Sequence, residues 1–577
     1  MKRLAIIGLI IVICAASLSA DASWAQRLVP VDDPVYDYLE GYYRALGIVL
    51  PDSVRPMSHA RIRSLLDPAG TRPATPAAEP YRAAIIDRLA AAERARFVLS
   101  ETDFLARLTP TVSLGVYLQE VPDDGEPALD GDTRPVFFSM PLEFAFGRFI
   151  YARGDVDLAQ DLNAIHMAPT NPTNLPSEIM MLDVGFPDRA YVSLGTINLG
   201  ASFGRDRHAW GPSETGGLTL SGNHSYLDAL RLTASYSRFS FTSFTAFLEP
   251  WATDGQFPTT GRYEPPYATF PPGMTAQHRY RLWEKTLYLH RFTIRPWDFF
   301  RFSFTEGALI GGYPADIRYL NPLMVFHSFF DFRRNTSMAE LEIEVAPFPG
   351  LGVWGSFYFN DLLLPQEAAA GATEPSAVAY QFGAEYEHTL GPAAGSAATQ
   401  RLPLVARVGG EFYYGDPYVY IRESILRSFI NRDRVHTNYH AASGEIRLGQ
   451  TAWVDTFLGS PFGNDSLAVT AWLGLAVPGL FESKFTYTHH RDGELGPTDI
   501  LPPSGFVEGA GPSGVVETTD LIELTVTTYP SRFRVFAGER SSTVALIGRI
   551  IRRDNASHVD GETDLRAGLG VVVTVGW

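Results

Sequence analysis

The chain closes on Gly568-Leu569-Gly570-Val571-Val572-Val573-Thr574-Val575-Gly576-Trp577. Leu569, Val571, Val573 and Val575 alternate with Gly568, Gly570, Val572, Thr574 and Gly576, and an aromatic residue ends the run. A period of two puts the apolar set on one face of a strand. Such a strand suits a sheet whose apolar face meets lipid. Lipid offers no hydrogen bonds, so the backbone groups pair with each other and the sheet closes into a barrel. The competing reading is a secreted β-sandwich or propeller. It gives no reason for an apolar, aromatic-terminated end or for an aromatic content of 12%.

The same alternation recurs upstream. Phe300, Phe302 and Phe304 are separated by Arg301, Ser303 and Thr305, and Val353, Gly355, Phe357 and Phe359 by Trp354, Ser356, Tyr358 and Asn360. Phe485 and Tyr487 alternate with Lys484, Thr486 and Thr488, and Ile522, Leu524 and Val526 with Glu523, Thr525 and Thr527. The pattern begins at Thr109-Pro110, which leaves about 470 residues for a sheet. At about 10 residues per spanning strand, with loops and turns adding a similar amount or more, this predicts on the order of 16 to 20 strands. No internal repeat stands out.

Ahead of the sheet the period is helical. Asp33-Pro34 predicts a capped helix start, Tyr36, Leu39, Tyr43 and Leu46 recur at helical spacing, and Gly47 closes the segment. Ser58 predicts the cap of a second helix carrying Ile62, Leu65 and Leu66. Pro68 to Pro80 reads as a loop, and Tyr81, Ile85 and Leu89 mark a third helix running to about Phe97. The first residues read as a secretory signal: Lys2 and Arg3, an apolar run from Leu4 to Ala16, then Ala20-Asp21-Ala22 or Ser23-Trp24-Ala25 as the cleavage site. An uncleaved anchor is the alternative. The expected organisation is signal peptide 1–25, helical periplasmic segment 26–108 and barrel 109–577.

Cys14, the single cysteine, lies in the apolar run, so a cleaved chain has no disulfide, thiol nucleophile or Cys-ligated metal. A net charge of −17, with Lys285 and Lys484 the only lysines beyond the signal, argues against nucleic acid. No later stretch reaches 18 uncharged apolar residues, so no spanning helix is expected.

Among motifs, Gly350-Leu351-Gly352-Val353-Trp354-Gly355 matches a dinucleotide fingerprint but introduces an alternating strand with no helix, and reads as a tight turn. His489-His490-Arg491-Asp492 reads as a loop just beyond a strand end, in preference to a metal site or a base. The densest polar-aromatic cluster is Gly204-Arg205-Asp206-Arg207-His208-Ala209-Trp210-Gly211-Pro212. Arg forks match carboxylates and a Trp face stacks on sugar rings, so it suits recognition. Ion pairs that fill and stiffen a barrel lumen explain it slightly better. Asp206 and His208 as a catalytic pair lack a visible nucleophile. Interfacial girdles account for most of the aromatic excess.

Five segments together resemble the capsule assembly Wzi family of outer-membrane proteins. They are Val29-Pro30-Val31 with Arg55-Pro56-Met57-Ser58; Gly204 through Trp210-Gly211-Pro212 to Gly217-Leu218-Thr219-Leu220-Ser221-Gly222-Asn223; His290-Arg291-Phe292 with Arg295-Pro296-Trp297; Arg318-Tyr319-Leu320-Asn321-Pro322-Leu323 with Asn335; and Gly355 to Phe359 with Asn360-Asp361. The resemblance is good from about 195 to 365 and weak beyond 400. It departs at His208-Ala209, where the family often has adjacent aromatics, and at Gly222, where it often has Asn. It implies an 18-stranded barrel with a periplasmic helical bundle, acting as a surface lectin that helps attach capsular or exopolysaccharide.

The resulting expectation is a mainly β, non-enzymatic, monomeric outer-membrane antiparallel barrel of about 18 strands. Surface polysaccharide, outer-membrane lipid and the barrel-assembly machinery are its partners, with no cofactor and no metal. Arg205, Arg207, Trp210, Asn223 and Asn335 are the candidate ligand residues. A diffusion channel is the second reading. An outer-membrane hydrolase with His208 or His489 as base is the third, and helices that contact peptidoglycan or a secretion partner are the fourth.

Overall fold

The computed structural model describes residues 23–66, 75–93, 97–119, 128–129, 134–160, 171–176, 182–185, 189–253, 281–326, 335–361, 377–390, 403–440, 446–502, 511–529 and 541–576. The signal region up to residue 22 and Trp577 lie outside them. An antiparallel barrel of 18 strands closes where the last strand, Thr563–Gly576, pairs with the first, Thr111–Gln119, from Gly568 opposite Gln119 to Gly576 opposite Thr111. Closure leaves the wall no edge to be satisfied by another chain.

The alternation sorts by face in the sense opposite to a water-soluble sheet. Along Phe300–Gly311, Arg301, Ser303 and Thr305 are buried toward the lumen while Phe300, Phe302 and Phe304 face out. On the closing strand Leu569, Val571 and Val573 are exposed and Val572 is buried. Cross-strand pairs such as Phe302 with Ile343 and Phe292 with Phe304 build a continuous apolar outer surface. Such a surface is stable only against lipid, and the barrel sits in the outer membrane.

Short turns at 147–149, 196–198, 236–238, 298–299, 349–350 and 478–480 gather at one end, and long connections such as 207–226 and 416–465 leave from the other. Short turns mark the periplasmic end and long loops the cell exterior. Gly350, with φ of +93°, makes one of these turns and the strand Leu351–Asp361 follows, as the sequence reading expects.

Three helices fill the periplasmic mouth: α1 Val35–Ala45, α2 His59–Leu65 and α3 Glu79–Glu93. The Asp33 carboxylate accepts from the Val35 amide at 2.9 Å and Ser58 Oγ from the Arg61 amide at 3.2 Å. Gly47 leaves α1 at φ +67°, a conformation that costs glycine little. Tyr36, Leu39, Tyr43, Ile62, Leu65, Tyr81, Ile85 and Leu89 share one core with Val405 of the wall. The short turns hold this bundle: the Val49 amide donates to Asp298 O at 2.8 Å, the Gly350 amide to Arg44 O at 2.8 Å, and the Gly479 amide to the Tyr38 hydroxyl at 3.1 Å.

Two expectations need correction. The helical segment does not run to 108. Phe97–Ser100 and Phe104–Leu108 are strands, with Phe97 opposite Leu108 and Phe104 opposite Phe146. The chain joins the wall at the seam beside the first strand, and there backbone groups are satisfied by ladder pairing rather than by a helix. His489 and His490 are not in a loop either; they sit inside the strand Phe481–Asp492. His489 faces out and pairs with Asp520 at 2.9 Å, and His490 faces in against the Phe462 ring.

Candidate functional site

The lumen is crossed by three layers. The lowest is the N-terminal segment, held by arginines of the wall. Arg295 donates to Val49 O at 3.1 Å, Arg301 to Leu50 O at 2.9 Å, Arg231 to Pro56 O at 2.7 Å, and Arg291 to Ser53 Oγ at 3.2 Å. Apart from Val54–Arg55, the stretch 48–56 has no helix or strand pairing to take up its carbonyls, so the wall guanidiniums bind those of Val49, Leu50 and Pro56. Two of those guanidiniums are compensated in turn: Glu342 accepts from Arg291 at 2.7 Å and from Arg301 at 3.3 Å, and Arg301 lies 2.6 Å from Glu344. A second clamp joins the helices to the wall, where Glu387 accepts from Arg44 at 2.7 Å and from the Tyr81 hydroxyl at 2.9 Å. A third centres on Glu143, bound by Arg107 at 2.6 Å and Arg27 at 2.9 Å.

The middle layer is loop 207–226, which turns inward from the wall. Ala209–Trp210 pairs with Val54–Arg55 of the N-terminal segment. Leu218 and Leu220 are fully buried in one core with Trp210, Phe244, Met338 and Tyr413, and Thr219 donates to Glu340 of the wall at 2.5 Å. Gly217 is required by close approach, because a Cβ there would stand 2.0 Å from Trp210 O. Glu411 anchors the tip, accepting from Ser213 Oγ at 2.6 Å and from the Glu214 amide at 3.0 Å.

The outer layer comes from 416–465. The Tyr420 hydroxyl donates to Leu218 O at 2.7 Å, the Ser221 amide to Leu458 O at 3.0 Å, and Lys285 to Ile425 O and Ile430 O at 3.1 and 2.8 Å.

The five candidate residues separate. Trp210 is 2% exposed and packs edge-on to Phe244 at 5.8 Å, so its ring offers no face to a ligand. Asn335 is also 2% exposed. It lies on the outer side of the wall and donates to Tyr319 of 312–326, a connection that folds down over Tyr288, Ala308 and Ile310. Within the Arg318 to Leu323 motif Tyr319 is the buried packing residue, while Arg318, Asn321 and Leu323 are exposed. Arg205 faces out, 3.5 Å from Asp228. Arg207 and Asn223 are the two brought together with side chains open to solvent: Arg207 Nε donates to Gly222 O at 3.1 Å, and Asn223 Nδ2 donates to Thr215 O at 3.3 Å.

Asp206 and His208 form no acid-base pair. Asp206 is taken up by Arg189 at 2.8 and 2.9 Å, and His208 packs on Phe244. Burial, with Arg231, His224 and Arg189 nearby, holds the His208 imidazole well below its ordinary range and so neutral. Among the described residues no three His, Cys, Asp or Glu side chains gather to hold a metal.

Sequence reasoning missed Glu340, Glu342 and Glu344. Their period-two spacing on the strand Asn335–Phe348, separated by exposed Leu341 and Ile343, is the available signal for a charged lumen wall.

A closed, lipid-facing barrel whose lumen is filled by its own N-terminal helices and inward loop is a plugged outer-membrane barrel. The family model for the capsule assembly protein Wzi matches residues 185–396 of this chain. A solved structure of Wzi from Escherichia coli, an outer membrane protein involved in group 1 capsule assembly and a carbohydrate-binding β-barrel, has the same fold: 15% identity over 94% of this chain and 98% of that one, with a TM-score of 0.53. OprD of Pseudomonas aeruginosa aligns at 10% identity over 82% of this chain and 94% of its own, TM-score 0.38. OmpT of Vibrio cholerae aligns at 8% identity over 84% of this chain and 100% of its own, TM-score 0.33. No curated protein matches the sequence.

Proposed function

We propose that this barrel is a non-enzymatic binding protein for surface polysaccharide and holds capsule or exopolysaccharide at the cell exterior. The observation that carries the reading is the filled lumen: a wall whose interior is spent on anchoring its own plug leaves the exterior loops as the working surface. The family match over 185–396 supports it, since that span includes the inward loop and the wall strands that hold it. Arg207, which also faces Asp32 at 3.7 Å, and Asn223 are the two candidate contacts on the inward loop with side chains open to solvent, and an acidic polysaccharide suits the Arg fork. Purified protein is expected to retain the host's own surface polysaccharide. No retention at high concentration, together with unchanged surface polysaccharide in a deletion strain, would exclude the proposal.

The same filling bears on the channel reading. In planar bilayers the intact protein is expected to show no stable large conductance. Steady openings comparable to those of general porins would favour the channel instead.

A further inference from the structure

At the periplasmic rim an open-mouthed cleft with a volume of about 50 Å³ separates the N-terminal segment from the wall, room for one small polar group with the rest of a ligand projecting outward. Asp52, Ser58 and Arg61 line its inner side, and Ser202, Arg231 and Thr233 line the wall side. The turn 196–198, one of the short periplasmic turns, forms its lip.

The charges in this lining do not balance internally. The two Asp52 oxygens accept from neutral donors, the Val54 amide at 3.1 Å and Ser235 Oγ at 3.0 Å. Arg231 gives Nη1 to Pro56 O at 2.7 Å. Arg61 is left with Nε and Nη2 buried and without a hydrogen-bond partner among the described residues. Burial lowers its proton affinity, against the pull of Asp52 and Tyr43. Arg61 is half-buried, but two buried N–H groups of its guanidinium left without an acceptor are costly, and an oxyanion entering the cleft would offset that cost. The guanidinium fork matches carboxylate and phosphate oxygens alike. The hydroxyls of Ser202 and Thr233 across the cleft suit a ligand that also carries hydroxyl groups.

We propose that this cleft takes the carboxylate or phosphate group of a small hydroxylated anion from the periplasm, such as a sugar acid or a sugar phosphate, with Arg61 as its principal contact. The site lies at the opposite end of the barrel from the exterior loops and does not depend on what those loops hold.

The test is calorimetric titration of the purified full-length protein in detergent with sodium glucuronate, sodium phosphate and glucose at constant ionic strength. Saturable binding of either anion, no binding of glucose, and affinity about tenfold or more weaker in Arg61→Gln are expected, that fold-change being about 1.4 kcal/mol. Partial recovery in Arg61→Lys is expected as well. Glucuronate alone binding identifies a carboxylate ligand, and phosphate alone a phosphate ligand. No saturable binding of either anion, or equal affinity in Arg61→Gln, overturns the proposal. Heat-modifiable migration on gels reports whether each variant folds. Should Arg61→Gln fail to fold, Thr233→Val on the wall side takes its place, with weaker anion binding expected and unchanged binding counting against the site.

Discussion

Trp210→Ala is expected to release the inward loop. Trp210 is 2% exposed, meets Phe244 edge-on at 5.8 Å, and its amide donates to Leu220 O at 2.9 Å. Among the described residues the indole Nε1 has no hydrogen-bond partner, so the side chain acts through packing and through the Arg291 guanidinium 5.9 Å from its ring centre. Truncating a buried Trp to Ala costs about 3–5 kcal/mol. The wall ladder holds the barrel together independently, so the cost falls on local opening of 207–226. At 1.4 kcal/mol per factor of ten, the open population should rise about a hundredfold or more. Limited proteolysis in detergent reads this as a new cleavage between Arg207 and Asn223 with the barrel still folded. Trp210→Phe, which keeps most of the contact, should restore much of the protection. An unchanged cleavage pattern in Trp210→Ala would show that the loop is held by something other than this core.

Glu342→Ala is expected to destabilise the protein by about 3–5 kcal/mol, because it leaves Arg291 and Arg301 buried with reduced compensation. Both arginines also reach the N-terminal segment, at Ser53 Oγ and Leu50 O, so the damage should spread to the seating of the helices. Thermal unfolding in detergent, followed by circular dichroism, should show the fall, and planar bilayers should show openings that the intact protein lacks. Replacing Glu342, Arg291 and Arg301 together by Met removes the unpaired charges and should recover part of the loss. A single Glu342→Ala variant with the melting and conductance of the parent would refute the clamp.

The wall was legible because one physical constraint acts on every strand. Leu569, Val571 and Val573 face lipid, and no partner chosen by the fold changes that requirement. The helix starts at Asp33 and Ser58 were legible for a similar reason, since a cap bonds an amide two or three residues away. The seam at Phe97 was not legible, because its pairing with Leu108 and the pairing of Phe104 with Phe146 become possible only once the sheet curves round on itself. Nor does period two say which set looks inward when both carry aromatics: Trp354 and Tyr358 stand with the polar set and face the lumen.

The candidate site divides along the same line. Local pattern alone decided that this is a lipid-facing barrel preceded by capped helices, because lipid exposure and helix capping act over a few residues. Distant contacts decided the rest. Trp210 became core because Val54 and Phe244 close around it, Asn335 was covered because Tyr319 folds back over the outer wall, and Glu342 met Arg291 and Arg301 from two other strands. Burial and charge compensation depend on what the folded chain brings alongside, and the spacing of residues within one strand does not contain that information.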